Sequence, residues 1–238
     1  MYNIQGIIRK SLNNTTTQFD RLGYVANNFA NYNTNGYKSV RFEQMLQEDG
    51  YLKGAVRTDY EVGMMQSTGN PYDVAINGQG FIPVTSTSGE VAYTRDGSFK
   101  KGKNGYLLTN DNWLVGEGIK IPPNCYKFAI KPNGDIVSYD SGGKSGEILG
   151  KIPLVQFANP EGLTQGDGNK MKASDESGEA FLVKEHNYIA QGSIERANVN
   201  VYDSVSEMLR LNASMIASMR MAKVVDDMYN KAINIRQS

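Results

Sequence analysis

Apolar residues fall on a helical stripe near each end of the chain and on short runs between the two. Ile8, Leu12, Thr15, Phe19, Leu22, Ala26 and Phe29 recur at alternating spacings of four and three, and six of these seven are apolar. That spacing traces one face of a helix. Toward the other end, Val201, Val205, Met208, Asn212, Met215, Met219, Ala222, Asp226, Tyr229 and Ile233 repeat the alternation, broken by Asn212 and Asp226. A neighbouring row of Leu211, Met215, Ala222, Val225, Tyr229 and Ala232 widens that face. Gly36 is expected to end the first helix, and Asp203 or Ser204 to cap the second.

Between the stripes the pattern changes. All seven prolines lie between Pro71 and Pro160, and no glycine follows Gly192. Both residues interrupt helices, so the sequence predicts a mainly β, hairpin-rich central domain between N- and C-terminal α-helical arms. The expected divisions are residues 1–38, 39–202 and 203–238. Tyr72–Ile76 and Phe81–Thr85 are expected to flank a turn at Asn77-Gly78-Gln79-Gly80, and Val91–Thr94 to follow a Ser-Gly turn. Lys103-Asn104-Gly105 carries a hairpin signal before Tyr106-Leu107-Leu108. Pro132-Asn133-Gly134 carries another between Phe128–Ile130 and Asp135–Val137. Pro83 marks its strand as an edge or a bulge.

Composition narrows the function classes. Lys+Arg and Asp+Glu are equal at 25 each, so no net charge draws the chain to nucleic acid or to an anionic membrane. Cys125 is the only cysteine and His186 the only histidine. No internal disulfide is possible, and neither residue is placed to form a nucleophile–base pair. Gly143-Lys144-Ser145 matches the tail of a phosphate-binding loop but lacks its upstream glycine, and Asn77–Gly80 lacks the third glycine of a dinucleotide fingerprint. Asn110-Asp111-Asn112 lacks the ligand spacing of a calcium loop. The sequons at Asn13, Asn14 and Asn212 fall in expected helices. No catalytic, cofactor or metal site and no small-molecule substrate is expected.

Three stretches in order resemble the flagellar hook-basal-body family. They are Ala26-Asn27-Asn28-Phe29-Ala30-Asn31-Tyr32-Asn33-Thr34-Asn35-Gly36-Tyr37-Lys38, then Gly69 to Phe81 with Tyr93-Thr94-Arg95-Asp96-Gly97-Ser98-Phe99, and then Gln191-Gly192-Ser193-Ile194-Glu195-Arg196-Ala197-Asn198-Val199. Phe157-Ala158-Asn159-Pro160-Glu161-Gly162-Leu163 adds a fourth. The resemblance implies a structural subunit of the bacterial flagellar basal-body rod whose arms pair in a coiled-coil-like layer. It implies partners among copies of itself and other rod or hook subunits, and export through the flagellar export apparatus without signal cleavage. The residues expected to carry assembly are Ile8, Leu12, Phe19, Leu22 and Phe29 in one arm and Met208, Leu211, Met215, Met219 and Val225 in the other. A hook or hook-rod junction component is the alternative within the family. A β-rich binding module or enzyme, with helices belonging to its stable fold, is the alternative outside it.

Overall fold

A computed structural model describes residues 4–123, 125–139, 145–183 and 188–237. The chain forms two compact units. One gathers the termini, through Asn31 and from Val199, with Ser39–Asp59; the other gathers Tyr32–Lys38 with Tyr60–Asn198.

The first unit consists of helices α1 (Ile4–Ala30) and α2 (Val201–Gln237) and a hairpin of β1 (Val40–Leu46) and β2 (Leu52–Thr58). At 1.5 Å per residue the helices are about 40 and 55 Å long. α1 stops at Ala30, before the expected Gly36, because Asn31 closes it. The Asn31 amide donates to the Asn27 carbonyl at 2.9 Å, and its backbone N–H is shared between the Asn27 and Asn28 carbonyls. α2 is capped by Asn200 rather than Asp203 or Ser204. The Asn200 Oδ1 accepts from the N–H groups of Tyr202 at 3.0 Å and Asp203 at 3.3 Å, the orphan donors of a helix start. The two helices pack together, with an Arg21–Glu207 ion pair between them. Leu211 and Met215 follow Glu207 at spacings of four on the same face of α2, and both are buried.

The hairpin lies along α1, and two asparagines hold it there. Asn28 donates to the Val40 carbonyl at 2.7 Å and accepts from the Val40 N–H at 2.9 Å. Asn13 does the same for Leu52, at 3.1 and 2.7 Å. Val40 opens the ladder opposite Thr58, whereas Leu52 sits near the tip opposite Leu46. The grips are therefore at the base and the tip. Between them the Tyr24 and Phe42 rings stack at 5.4 Å, over a glycine, Gly54, whose missing side chain leaves room for Phe42.

In the second unit, β3 (Met65–Ser67), β4 (Val74–Ile76), β5 (Ile82–Thr85), β6 (Val91–Thr94), β7 (Lys100–Lys101), β8 (Leu107–Leu108) and β9 (Leu114–Val115) come first. Then follow β10 (Lys127–Ile130), β11 (Asp135–Tyr139), β12 (Ser145–Lys151), β13 (Val155–Gln156), β14 (Thr164–Gln165), β15 (Lys170–Lys172), β16 (Phe181–Leu182), β17 (Ile189–Gln191) and β18 (Ser193–Glu195). A seven-stranded sheet runs β14-β15-β6-β5-β9-β8-β7, and a three-stranded one β10-β11-β12. Val74, Ile76, Ile82, Val84, Ile136 and Leu154 are wholly buried in the main core. A second cluster packs Phe81, Val155 and Phe157 against Tyr60 and Tyr93, with the rings edge to face.

The hairpins at 82–94, 100–108 and 127–139 form as expected. The one expected across Asn77–Gly80 does not. β4 pairs with β17, more than a hundred residues on, while β5 pairs with β6 and β9. Pro83 also departs from expectation, because β5 is interior. The β9 ladder covers only Val84 and Thr85. The Pro83 carbonyl accepts from Gly116 on that side, so the missing N–H falls just past the ladder and leaves no paired carbonyl empty.

Asn28→Ala is expected to speed amide hydrogen exchange at Val40, and Asn13→Ala at Leu52, each costing about 1–3 kcal/mol for two lost bonds to partly buried backbone. Unchanged exchange at both amides would remove the asparagine grips from the account.

Candidate functional site: an assembly surface

Each of the three main stretches that resemble the hook-basal-body family supplies one charged residue to a single buried cluster in the second unit. Glu195 has no exposed surface, and Lys38 and Arg95 are nearly as deeply buried. One Glu195 oxygen accepts from the Lys38 ammonium at 2.6 Å and from the Gly63 N–H at 2.9 Å; the other accepts from Arg95 Nε at 2.8 Å. Two cations against one carboxylate leave a surplus positive charge, and main-chain carbonyls absorb it. Lys38 also donates to the Glu61 carbonyl at 2.5 Å. Arg95 donates to Gly80 at 2.6 Å, Gly78 at 2.9 Å and Ile76 at 3.2 Å. Those three carbonyls belong to the 76–80 segment, which is why it wraps a guanidinium instead of turning a hairpin.

The same cluster stitches the outgoing and returning chain of this unit side by side. The Gly36 N–H donates to the Glu195 carbonyl at 2.8 Å. Arg196 reaches Asn35 Oδ1 at 3.0 Å and the Asn33 carbonyl at 3.3 Å. Gly36 has φ +66°, and a Cβ there would lie 2.5 Å from the Arg95 carbonyl carbon; the position excludes a side chain on both counts. Next to it, Asp96 is desolvated by burial, which raises its pKa against the opposing hydrogen bonds from Ser98, and the charges of Asp111 and Asp73 raise it further. Asp111, which burial would also raise, is held below the usual range by hydrogen bonds from Lys170 and Thr109. Asp73 is bound by Thr68 at 2.6 Å and Asn70 at 2.8 Å and fixes the turn into β4.

This constellation is structural in its chemistry: every charged group in it is consumed by a protein partner. Among the described residues no three of His, Cys, Asp and Glu gather as a metal site would need. No described helix is long and apolar enough to cross a membrane. Cys125 is half-buried, with its sulfur 3.3 Å from the Lys127 carbonyl. His186, Gly143 and Lys144 lie outside the described residues, as do the side chains of Ser145, Tyr229, Ala232 and Ile233.

The expected assembly residues fall into two groups in the first unit. Ile8, Leu12, Phe19 and Phe29 on α1 and Met219 on α2 are exposed, Leu12 by 66%. Leu22, Met208 and Val225 are half-buried. Leu211 and Met215 are buried within the chain itself. α1 thus covers its amide-bearing face, with Asn13 and Asn28 under the hairpin, and leaves its apolar stripe open. Met221, Val224 and Met228 on α2 are exposed as well, and so are Met45 and Leu46 near the hairpin tip. The hairpin and the buried Lys38–Glu195–Arg95 cluster were not anticipated as functional features. The cluster left no local signal, because Lys38, Arg95 and Glu195 stand beside polar or charged residues, Ser39, Asp96 and Arg196, and only the fold brings them together.

A family model described as the flagellar hook protein FlgE/F/G D1 domain matches residues 75–138. The flagellar basal-body rod protein FlgG of Buchnera aphidicola subsp. Schizaphis graminum is 30% identical over 239 residues, covering 88% of this chain and 92% of that one. The FlgG of Bacillus subtilis is 28% identical, covering 91% and 94%. The flagellar basal-body rod protein FlgF of Mesorhizobium japonicum is 31% identical, covering 80% of each.

Glu195→Gln is expected to destabilise the second unit by about 3–5 kcal/mol, since two buried cations lose their counter-charge; denaturant unfolding reads this, and a loss below about 1 kcal/mol would contradict the cluster's role. Asp96→Asn should act oppositely. A carboxyl whose folded pKa is raised favours the fold below its unfolded value and weakens it as pH rises through the folded value. The variant should therefore be more stable than the parent at pH 7, with the gap closing below about pH 4. A gap that is constant across pH would show that the effect is not one of charge.

Proposed function

Because the chain belongs to the flagellar hook-basal-body rod family, a family of structural proteins and not of enzymes, we propose that it is a subunit of the flagellar basal-body rod that polymerises through its terminal helices. The observation that carries this reading is the inverted dressing of α1. Its polar face is the one the hairpin covers, and Ile8, Leu12, Phe19 and Phe29 are left to solvent. Exposed apolar side chains aligned along one face are a surface for another protein. Copies of the chain, and sister rod or hook subunits, are the partners this reading names. Passage through the flagellar export apparatus, without cleavage, is part of it.

The mechanism follows from the character of the two groups of residues. Leu211 and Met215 close α2 onto α1 inside one chain, so the helix pair arrives as a preformed unit. The exposed stripe of that pair then meets a different face of the next subunit. A contact between unlike faces, repeated with a rotation that does not close into a ring, builds a helical tube. Three methionines of α2, Met219, Met221 and Met228, are exposed; their flexible thioethers suit neighbours that differ slightly from site to site.

Phe19→Asp tests this directly. Phe19 is 48% exposed, so the isolated chain should lose no more than about 0.5 kcal/mol. Incorporation into basal bodies, scored by electron microscopy and by motility of cells carrying only the variant, should be abolished. Met215→Asp is the contrast, because it buries a carboxylate between the helices and should unfold the pair in the lone chain. Motile cells with complete rods built from the Phe19→Asp chain would overturn the reading.

A further inference from the structure

We propose that the β-rich second unit carries its own pair of complementary docking surfaces. A groove lined by Pro71, Tyr72, Ile121 and residues 125–129 of one copy receives the acidic turn and edge strand at residues 175–182 of a second copy. This rests on the reading that copies stack into a rod, and it adds a contact that the helices do not make.

The groove is an open cavity of about 630 Å³. Ile121, Phe128 and Tyr72 give it an apolar lining, with Tyr72 and Phe128 packed ring on ring at 5.2 Å. Lys101 and Lys127 also line it. The Lys101 ammonium touches the Pro122 carbonyl at 3.2 Å, and neither lysine has a carboxylate partner among the described residues. Tyr126, 77% exposed, projects beside them. Its walls are set: Gln191 donates to the Pro71 carbonyl at 2.8 Å and accepts from the Ile130 N–H at 3.0 Å. An apolar groove between two unpaired ammonium groups suits an extended segment that is acidic at one end and apolar at the other.

The chain displays such a segment. Asp175, Glu176 and Glu179 are exposed and in no ion pair among the described residues. Phe181 and Leu182 follow at once, 50% and 57% exposed. The turn is held in advance, since Ser177 Oγ accepts from the Ser174 N–H and donates to the Ser174 carbonyl, both at 2.9 Å, and Asn159 holds the Glu176 carbonyl at 3.0 Å. β16 pairs only with β13, so its outer edge is open among the described residues. An edge strand bearing two bare apolar side chains is a surface in need of cover.

Position decides in favour of a second copy. The groove lies at the Val74–Gln191 end of the β4–β17 ladder. From the opposite, Ile76 end the chain runs to Phe81, which bridges Val155, and Val155 pairs with Leu182. Groove and edge strand sit beyond opposite ends of one ladder. A copy cannot bring its own two surfaces together, but a line of copies can, head to tail.

Cys125 lines the groove and is the only thiol, which supplies the test. Glu179→Cys chain, concentrated under assembly conditions and oxidised, should give a ladder of disulfide-linked species, whereas the two single-thiol chains, Glu179→Cys/Cys125→Ala and the unaltered one, should stay monomeric rather than dimerise through like positions. Adding Lys101→Glu and Lys127→Glu should lower the ladder's yield about tenfold at low salt, through like-charge repulsion. Particles that form without the ladder, or oxidised dimers from Glu179→Cys/Cys125→Ala or from the unaltered chain, in which like positions must have joined, would overturn this contact and leave the helical reading standing. A ladder that persists in Phe19→Asp chain, together with normal particles from that chain, would support this contact while the helical reading fails.

Discussion

A carboxylate with no access to water, placed between an ammonium and a guanidinium, organises the β-rich unit more than any single apolar contact does. Glu195 draws Lys38 from the segment after α1 and Arg95 from the end of β6, and it lies at the end of the last strand before α2. Burying these charges is costly unless each hydrogen-bonding direction is met. The surrounding fold is arranged to meet them: the 76–80 segment turns its carbonyls to Arg95, Gly63 offers an N–H, and Glu61 offers a carbonyl. Apolar packing supplies most of the core's cohesion. The ionic cluster supplies uniqueness, because few other arrangements of the same segments would satisfy all three groups.

The central β character and the two helical ends were legible because glycine and proline act locally. A residue that forbids helix does so wherever it stands, and hairpins closed by Asn-Gly turns, such as those at 100–108 and 127–139, need only their own few residues. The long-range choices were not legible. β4 pairs with β17 because Arg95 occupies the carbonyls that a local turn would have used, and nothing within residues 72–85 announces this. The hairpin at 40–58 was missed for a different reason. Its inward side, including Phe42 and Gln44, meets a helix face made of amides, so its alternation of apolar and polar residues is weak.

The stripe along α1 was visible as a period but ambiguous as to what it faces. Periodicity says that apolar residues share a side, and it is silent on whether that side is turned inward. Here Leu211 and Met215, on the wider row of α2, are turned inward, and Phe19 and Leu12 outward. The same pattern has been divided between holding one chain together and meeting another.

The way the hairpin is seated on α1 has an evolutionary corollary. Asn13 and Asn28 grip main-chain groups of Leu52 and Val40 and take no account of which side chains those residues bear. What the grips do fix is spacing: fifteen helical residues rise about 22 Å, and six steps of extended strand cover about 20 Å. Outward positions such as Arg41, Glu43 and Arg57 are thereby released to drift with whatever lies against them. An insertion between Val40 and Leu46 would throw the strand out of step with its helix. Extra residues at the Gln47–Tyr51 tip would merely lengthen the finger, so related chains should differ there in reach rather than in how the hairpin is anchored.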